Sequence, residues 1–126
     1  KEYLRTLGKY YIVDIGLRNY LLGYRDNDSG HILENIIYFE LLRRGYDVAV
    51  GKIGDQEVDF IATKVDEKKY IQVAESMNAL ETRERELAPL RKIRDSYEKI
   101  VIALECDLAM TQDGIKIIKA LDFLLE

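Results

Sequence analysis

The chain has no tryptophan, one cysteine, one histidine and one proline in 126 residues. With Cys106 alone there is no internal disulfide and no cysteine-based zinc site. With His31 alone, a Ser-His-Asp triad or a multi-histidine metal centre has almost nothing to draw on. No apolar run approaches the roughly 18 residues of a membrane helix, and no signal peptide is recognisable, so a cytoplasmic location is expected. Charge of one sign is also scarce: 19 Lys+Arg against 23 Asp+Glu leave a net charge of −4. That balance excludes a strongly basic nucleic-acid coat and a polybasic membrane anchor, while leaving room for a local basic patch. Internal repeats and low-complexity stretches are absent. The first residue is Lys1 rather than methionine, as in a piece of a longer chain.

What is present is ordinary for a soluble globular protein: 48% apolar and 33% charged residues. The length predicts one domain over residues 1–126, able to bury about two-thirds of the surface its unfolded form exposes. A short strand is expected at Tyr10–Val13, a short helix at Asp14–Leu22 and a polar loop at residues 23–30. Ser29 is the expected N-cap of a helix from His31 to Arg44, with Gly45 as its stop. Strands are expected at Tyr46–Lys52, Glu57–Thr63 and Lys69–Ser76, with Gly54-Asp55 as the first turn and Val65–Lys68 as a hairpin tip. A helix is expected over Leu80–Tyr97, a buried strand at Lys99–Glu105, a turn at Asp113-Gly114, a strand at Ile115–Ile118 and a last helix at Ala120–Glu126. This order implies a mixed sheet flanked by helices, with a parallel, right-handed strand–helix–strand crossover.

Two features depart from simple amphipathic patterning. On a wheel of ~100° per residue, Glu34 falls between Ile37 and Leu41 on one side and Tyr38 and Leu42 on the other. It therefore sits inside the apolar stripe. A buried carboxylate costs several kcal/mol unless paired, hydrogen-bonded or bound to a metal. The helix N-terminus, a neighbouring arginine and a cation are all open as its partner. In the strand EVDFIA, alternation places Val58, Phe60 and Ala62 on one apolar face, and Glu57, Asp59 and Ile61 on the other. In KYIQVAES, Tyr70, Gln72, Ala74 and Ser76 share a face. Antiparallel pairing can set Asp59 beside Gln72, so a helix glutamate, a strand aspartate and a polar residue of the next strand can meet at one point.

This pattern resembles the PD-(D/E)XK nuclease superfamily. More closely, KYYIVDIGLRNYL (Lys9–Leu21), GHILENIIYFELLRRGYDV (Gly30–Val48), GKIGDQEVDFIA (Gly51–Ala62), YIQVAESM (Tyr70–Met77) and TRERELAPLRKI (Thr82–Ile93) resemble the C-terminal domain, of unassigned function, of bacterial and archaeal AAA+ ATPases. The resemblance implies a restriction-endonuclease-like α/β fold, with residues 1–25 leading in from an N-terminal ATPase part of the same chain. It maps the helix glutamate to Glu34, the motif aspartate to Asp59 and the E-x-K motif to Gln72, Val73 and Ala74. In the superfamily such acids hold Mg²⁺ or Mn²⁺, the metal activates water and steadies the phosphate, and the lysine positions or deprotonates that water. Here Gln72 replaces the second acid and Ala74 replaces the lysine. Arg83, in the first turn of the following helix, is the cation placed to reach toward Glu34 or Asp59 and steady a phosphate; a salt bridge is its structural alternative. On the same wheel Arg83 and Arg94 fall within a Leu80/Leu87/Leu90/Tyr97 face, with Pro89 placed to kink the helix or mark its start.

The remaining residues read more plainly. His31 is expected to face solvent and Cys106 to fill core or edge space. The tyrosines near the N-terminus suggest packing against a neighbouring domain, and the basic concentrations at Arg43-Arg44 and Arg83–Arg94 alternate with acids as solvated helix faces do. Gly51-Lys52 is no phosphate loop, because the upstream glycine spacing is wrong and Ile53 stands where Ser or Thr is needed. The expected function is therefore a degenerate nuclease-fold module of an AAA+ ATPase. It would bind DNA, a protein partner or its own ATPase without catalysis. The alternative is a metal-dependent phosphodiesterase in which Glu34, Asp59 and Gln72 hold the ion and Arg83 contacts phosphate.

Overall fold

The structure, a computed structural model, describes residues 29–107 and 110–126. The expected strand at Tyr10–Val13, helix at Asp14–Leu22 and loop before residue 29 lie outside the described residues. Helix α1 (Ser29–Arg43) leads into an antiparallel meander of β1 (Asp47–Ile53), β2 (Gln56–Lys64) and β3 (Glu67–Ser76). Helix α2 (Leu80–Arg91) then crosses to β4 (Glu98–Glu105), and the hairpin β5 (Met110–Gln112) and β6 (Ile115–Lys119) precedes α3 (Ala120–Leu125). The strands form one six-stranded sheet in the order β1-β2-β3-β4-β6-β5. β3 and β4 pair in parallel, as do β4 and β6, and the other pairs are antiparallel. The expected mixed sheet and parallel crossover are both observed.

Helices cover both faces. On one, Leu33, Ile37 and Leu41 of α1 and Ala120 and Phe123 of α3 bury against Ala62, Ile71, Val73, Ile100 and Ile102. On the other, Leu87 and Leu90 of α2 bury against Tyr70, Ala74, Val101 and Ala103. Burial of each Leu, Ile, Val or Phe among these contributes roughly 1.5–3 kcal/mol, so the alternation of β3, Tyr70/Ala74 one way and Ile71/Val73 the other, fastens both helix layers to one strand.

Local chemistry explains most boundaries. α1 stops where Gly45 adopts φ +89°. Tyr46 N–H donates to Leu41 O (3.0 Å) and Gly45 N–H to Leu42 O (2.9 Å), the paired closure that a left-handed residue permits. Asp113 (φ +54°) and Gly114 (φ +78°) make the tight turn between β5 and β6, which fits the twist of a two-residue hairpin. The partner strand β5, three residues long, carries no signal of its own in the sequence.

Two expectations need correction. Helix α2 ends at Arg91, not Tyr97. Pro89 removes a donor from its last turn, and Lys92 and Ile93 close onto Pro89 O and Leu90 O with tighter three-residue bonds. Asp95 then fastens the exit, accepting from Tyr70 Oη on β3 and from Tyr97 N–H. Leu80, the first residue of α2, and Tyr97, beyond its end, are exposed rather than on the buried face, and Arg94 lies beyond the helix.

The second correction is in β2. Phe60 and Ala62 pack toward α1, but Val58 packs with Ile61 toward α2. Strict alternation fails because the β1–β2 register shifts between the pairs Ala49↔Ile61 and Gly51↔Val58. Asp59 and Phe60 together face the single residue Val50, a β-bulge that turns the strand beyond it over to the other face.

Candidate functional site

The bulge lies at Asp59. Asp59 and Gln72 occupy the position one step past the last backbone pair of β2 and β3, Phe60↔Ile71. Side chains take over there. Asp59 N–H donates to Gln72 Oε1 (2.8 Å) and Val73 N–H donates to Asp59 Oδ2 (2.8 Å). The two strands part, and the polar pair that the sequence placed side by side bridges the opening. Gln72 is 4% exposed, the one buried polar residue among those described. Its amide donates to the Glu86 carbonyl of α2 (3.3 Å). Both ends of this side chain are therefore committed to backbone groups, as burial of an amide requires.

Glu34 comes to the same region from α1. It is half-buried beside Leu33 and Ile37, and among the described residues no hydrogen bond or ion pair satisfies it. Burial, and then the charge of Asp59, push its carboxyl pKa up, against a smaller opposing effect of His31. Burial also raises Asp59, whose bond from Val73 N–H opposes the shift while Glu57 adds to it. A third acid, missed in the sequence, comes from the opposite face: burial, followed by Asp59 and more weakly Glu34, raises the carboxyl pKa of Glu86 on α2, with Arg85 opposing. In TRERELAPLR, Glu86 is one charge among many, and nothing in its local pattern marks it out.

The structure thus joins Asp59 to Gln72, while Glu34 on α1 and Glu86 on α2 lie on opposite faces of the sheet, each within electrostatic reach of Asp59. It turns Arg83 elsewhere: Arg83 Nε donates to Met77 O (3.1 Å), at the end of β3. Ala74 is 6% exposed and packed in the α2 core. His31 is exposed and Cys106 buried, as expected.

A hard divalent cation is held by oxygen ligands, and Mg²⁺ commonly takes one or two carboxylates with waters completing its shell. Here Gln72 Oε1 and Asp59 Oδ2 already accept backbone N–H groups. Among the described residues no group of three or more His, Cys, Asp or Glu side chains is arranged to hold one ion.

Comparison with known proteins gives two relatives. An uncharacterised protein of Haemophilus influenzae is 44% identical over 126 residues, spanning all of this chain and 31% of the relative. An uncharacterised protein of Methanocaldococcus jannaschii is 34% identical over 106 residues, spanning 81% of this chain and 22% of the relative. The chain therefore spans less than a third of the length of the curated relatives it matches. No family model matches, and no solved structure matches.

Proposed function

We propose that this chain is a restriction-endonuclease-like module of a longer AAA+-type ATPase, and that it works by holding a partner rather than by cutting one. The partner would be DNA, another protein or the ATPase part of the same chain. The observation that carries this reading is the state of Gln72. A metal-dependent nuclease needs an anionic oxygen and a cation at successive points of this strand. Here the oxygen belongs to a neutral amide bonded at both ends to backbone, and the other position is the buried methyl of Ala74. The centre has become a structural clasp between β2, β3 and α2. The length of the relatives beyond this chain supports a module that acts with the rest of its protein.

The test is Mn²⁺ titration monitored by melting temperature, together with nicking of supercoiled plasmid. This reading expects neither a rise in melting temperature nor nicking. Mn²⁺-dependent nicking that disappears in Asp59→Ala would overturn it in favour of a phosphodiesterase. A gel shift at low salt then separates the partners: with a net charge of −4, DNA affinity should be weak and steeply salt-dependent, and no shift at all selects a protein partner.

A further inference from the structure

Away from the acids, a cavity of about 130 Å³ opens on the α2 face of the sheet, where the chain leaves the parallel strands β3 and β4. Open α/β sheets characteristically bind ligands beside the carboxyl ends of such strands. Four apolar or soft side chains, Met77, Cys106, Met110 and Ile117, line it, together with Asn78, Arg83 and Asp107. Met77, Cys106 and Ile117 are buried in the α2 core, so these walls are fixed. Two backbone clasps hold the rim: Asp107 N–H donates to Asn78 Oδ1 (3.0 Å) and Asn78 N–H to Ser76 Oγ (3.3 Å).

Arg83 is the distinctive group. Its Nε is used on Met77 O, which sets the direction of the side chain. Its two terminal nitrogens form no hydrogen bond or ion pair among the described residues. Asp107 shares the cavity, yet no ion pair joins the two. A guanidinium anchored at one nitrogen, with the rest of its fork open toward an apolar pocket, suits a planar carboxylate.

We propose that this cavity binds a small monocarboxylate, with its carboxylate on the Arg83 fork and its short apolar tail against Met77, Met110 and Ile117. Size decides the class. A cavity of roughly 150 Å³ holds a benzene-sized molecule, whereas drug- and nucleotide-sized ligands need roughly 300–1,000 Å³. A tail and carboxylate of about six heavy atoms match that volume. The nearby Asp107 carboxylate repels a dianion such as phosphate more strongly than a monoanion. Burial keeps the Cys106 thiol neutral by raising its pKa, so that wall adds no second negative charge. This inference is independent of the role proposed for Gln72.

The test is titration calorimetry of the whole chain with acetate, propionate, butyrate and hexanoate, with n-butanol and phosphate as controls. Affinity should rise from acetate to butyrate and fall at hexanoate, once the cavity is overfilled. Arg83→Met should weaken butyrate at least tenfold, and Arg83→Lys should do so partially, since the charge remains but the fork is lost. Met110→Trp, which fills the cavity from its exposed wall without touching Arg83, should abolish binding while leaving the fold intact by circular dichroism. Asp59→Asn should leave butyrate affinity unchanged. The proposal is overturned if butyrate binds no better than n-butanol, if phosphate binds as well as butyrate, or if affinity survives in both Arg83→Met and Met110→Trp.

Discussion

Gln72 spans two elements with one amide, and its worth is set by what its removal would orphan. Gln72→Ala leaves Asp59 N–H without its acceptor and removes the second bond to the Glu86 carbonyl. It should cost about 2–4 kcal/mol, read by urea unfolding. Gln72→Glu keeps the acceptor but loses the donor and sets another negative charge beside Asp59. It should also destabilise at neutral pH, with part of the loss recovered on acidification. The three acids have the opposite character. A carboxyl whose pKa is raised on folding holds its proton more tightly in the native state. Its contribution is therefore most favourable below the unfolded-state pKa of about 4 and declines as pH rises through the raised native value. Glu34, with a raised pKa and no partner among the described residues, is the clearest case. Glu34→Gln should raise the melting temperature at pH 7, and the advantage should vanish near pH 4. An equal advantage at both pH values would show that the carboxylate charge is not what costs stability.

Elements show where reading by period stops working. α1, its glycine stop and the β1–β2–β3 meander are all legible, because each is signalled locally: Gly45 for the left-handed cap, Gly54-Asp55 for the first turn, alternation for the strands. The bulge in β2 is not legible. Nothing within EVDFIA signals it; it answers to Gly51 on the neighbouring strand. A methyl group at Gly51 would lie 2.7 Å from Ile61 Cδ1 and 3.2 Å from Val58 Cβ, so the missing side chain is the space into which the rotated β2 packs. Gly51→Ala should therefore cost about 1–3 kcal/mol by overpacking, measured by thermal unfolding. A smaller partner, Gly51→Ala combined with Ile61→Val, should recover part of it. β5 is hidden because three residues carry too little pattern, and α2 is shorter than its apolar spacing suggests because Pro89 and the Asp95 clasp end it while that spacing continues.

At the scale of the whole molecule, separate parts of the chain are tied by few polar groups. Arg44, just past α1, donates from its Nη2 to Phe123 O of α3 (2.5 Å), stacks 4.2 Å over the Phe123 ring and pairs with Glu40. These contacts close the end of a six-residue helix that could not hold its shape alone. Arg44→Ala should speed hydrogen exchange in α3 selectively and cost about 1–2 kcal/mol, while leaving exchange in β3 close to wild type.

Composition and period by themselves determined a mixed α/β sheet with helices on its faces, the order of most elements, and the placement of Asp59 beside Gln72. These arise from local backbone preference and side-chain alternation, which any segment carries within itself. The tertiary structure alone decided the bulge at Asp59, the arrival of Glu86 from the opposite face, the commitment of Gln72 to two backbone groups and the turning of Arg83 toward Met77. Each of these depends on a distance between residues remote in the chain, and no local period encodes such a distance.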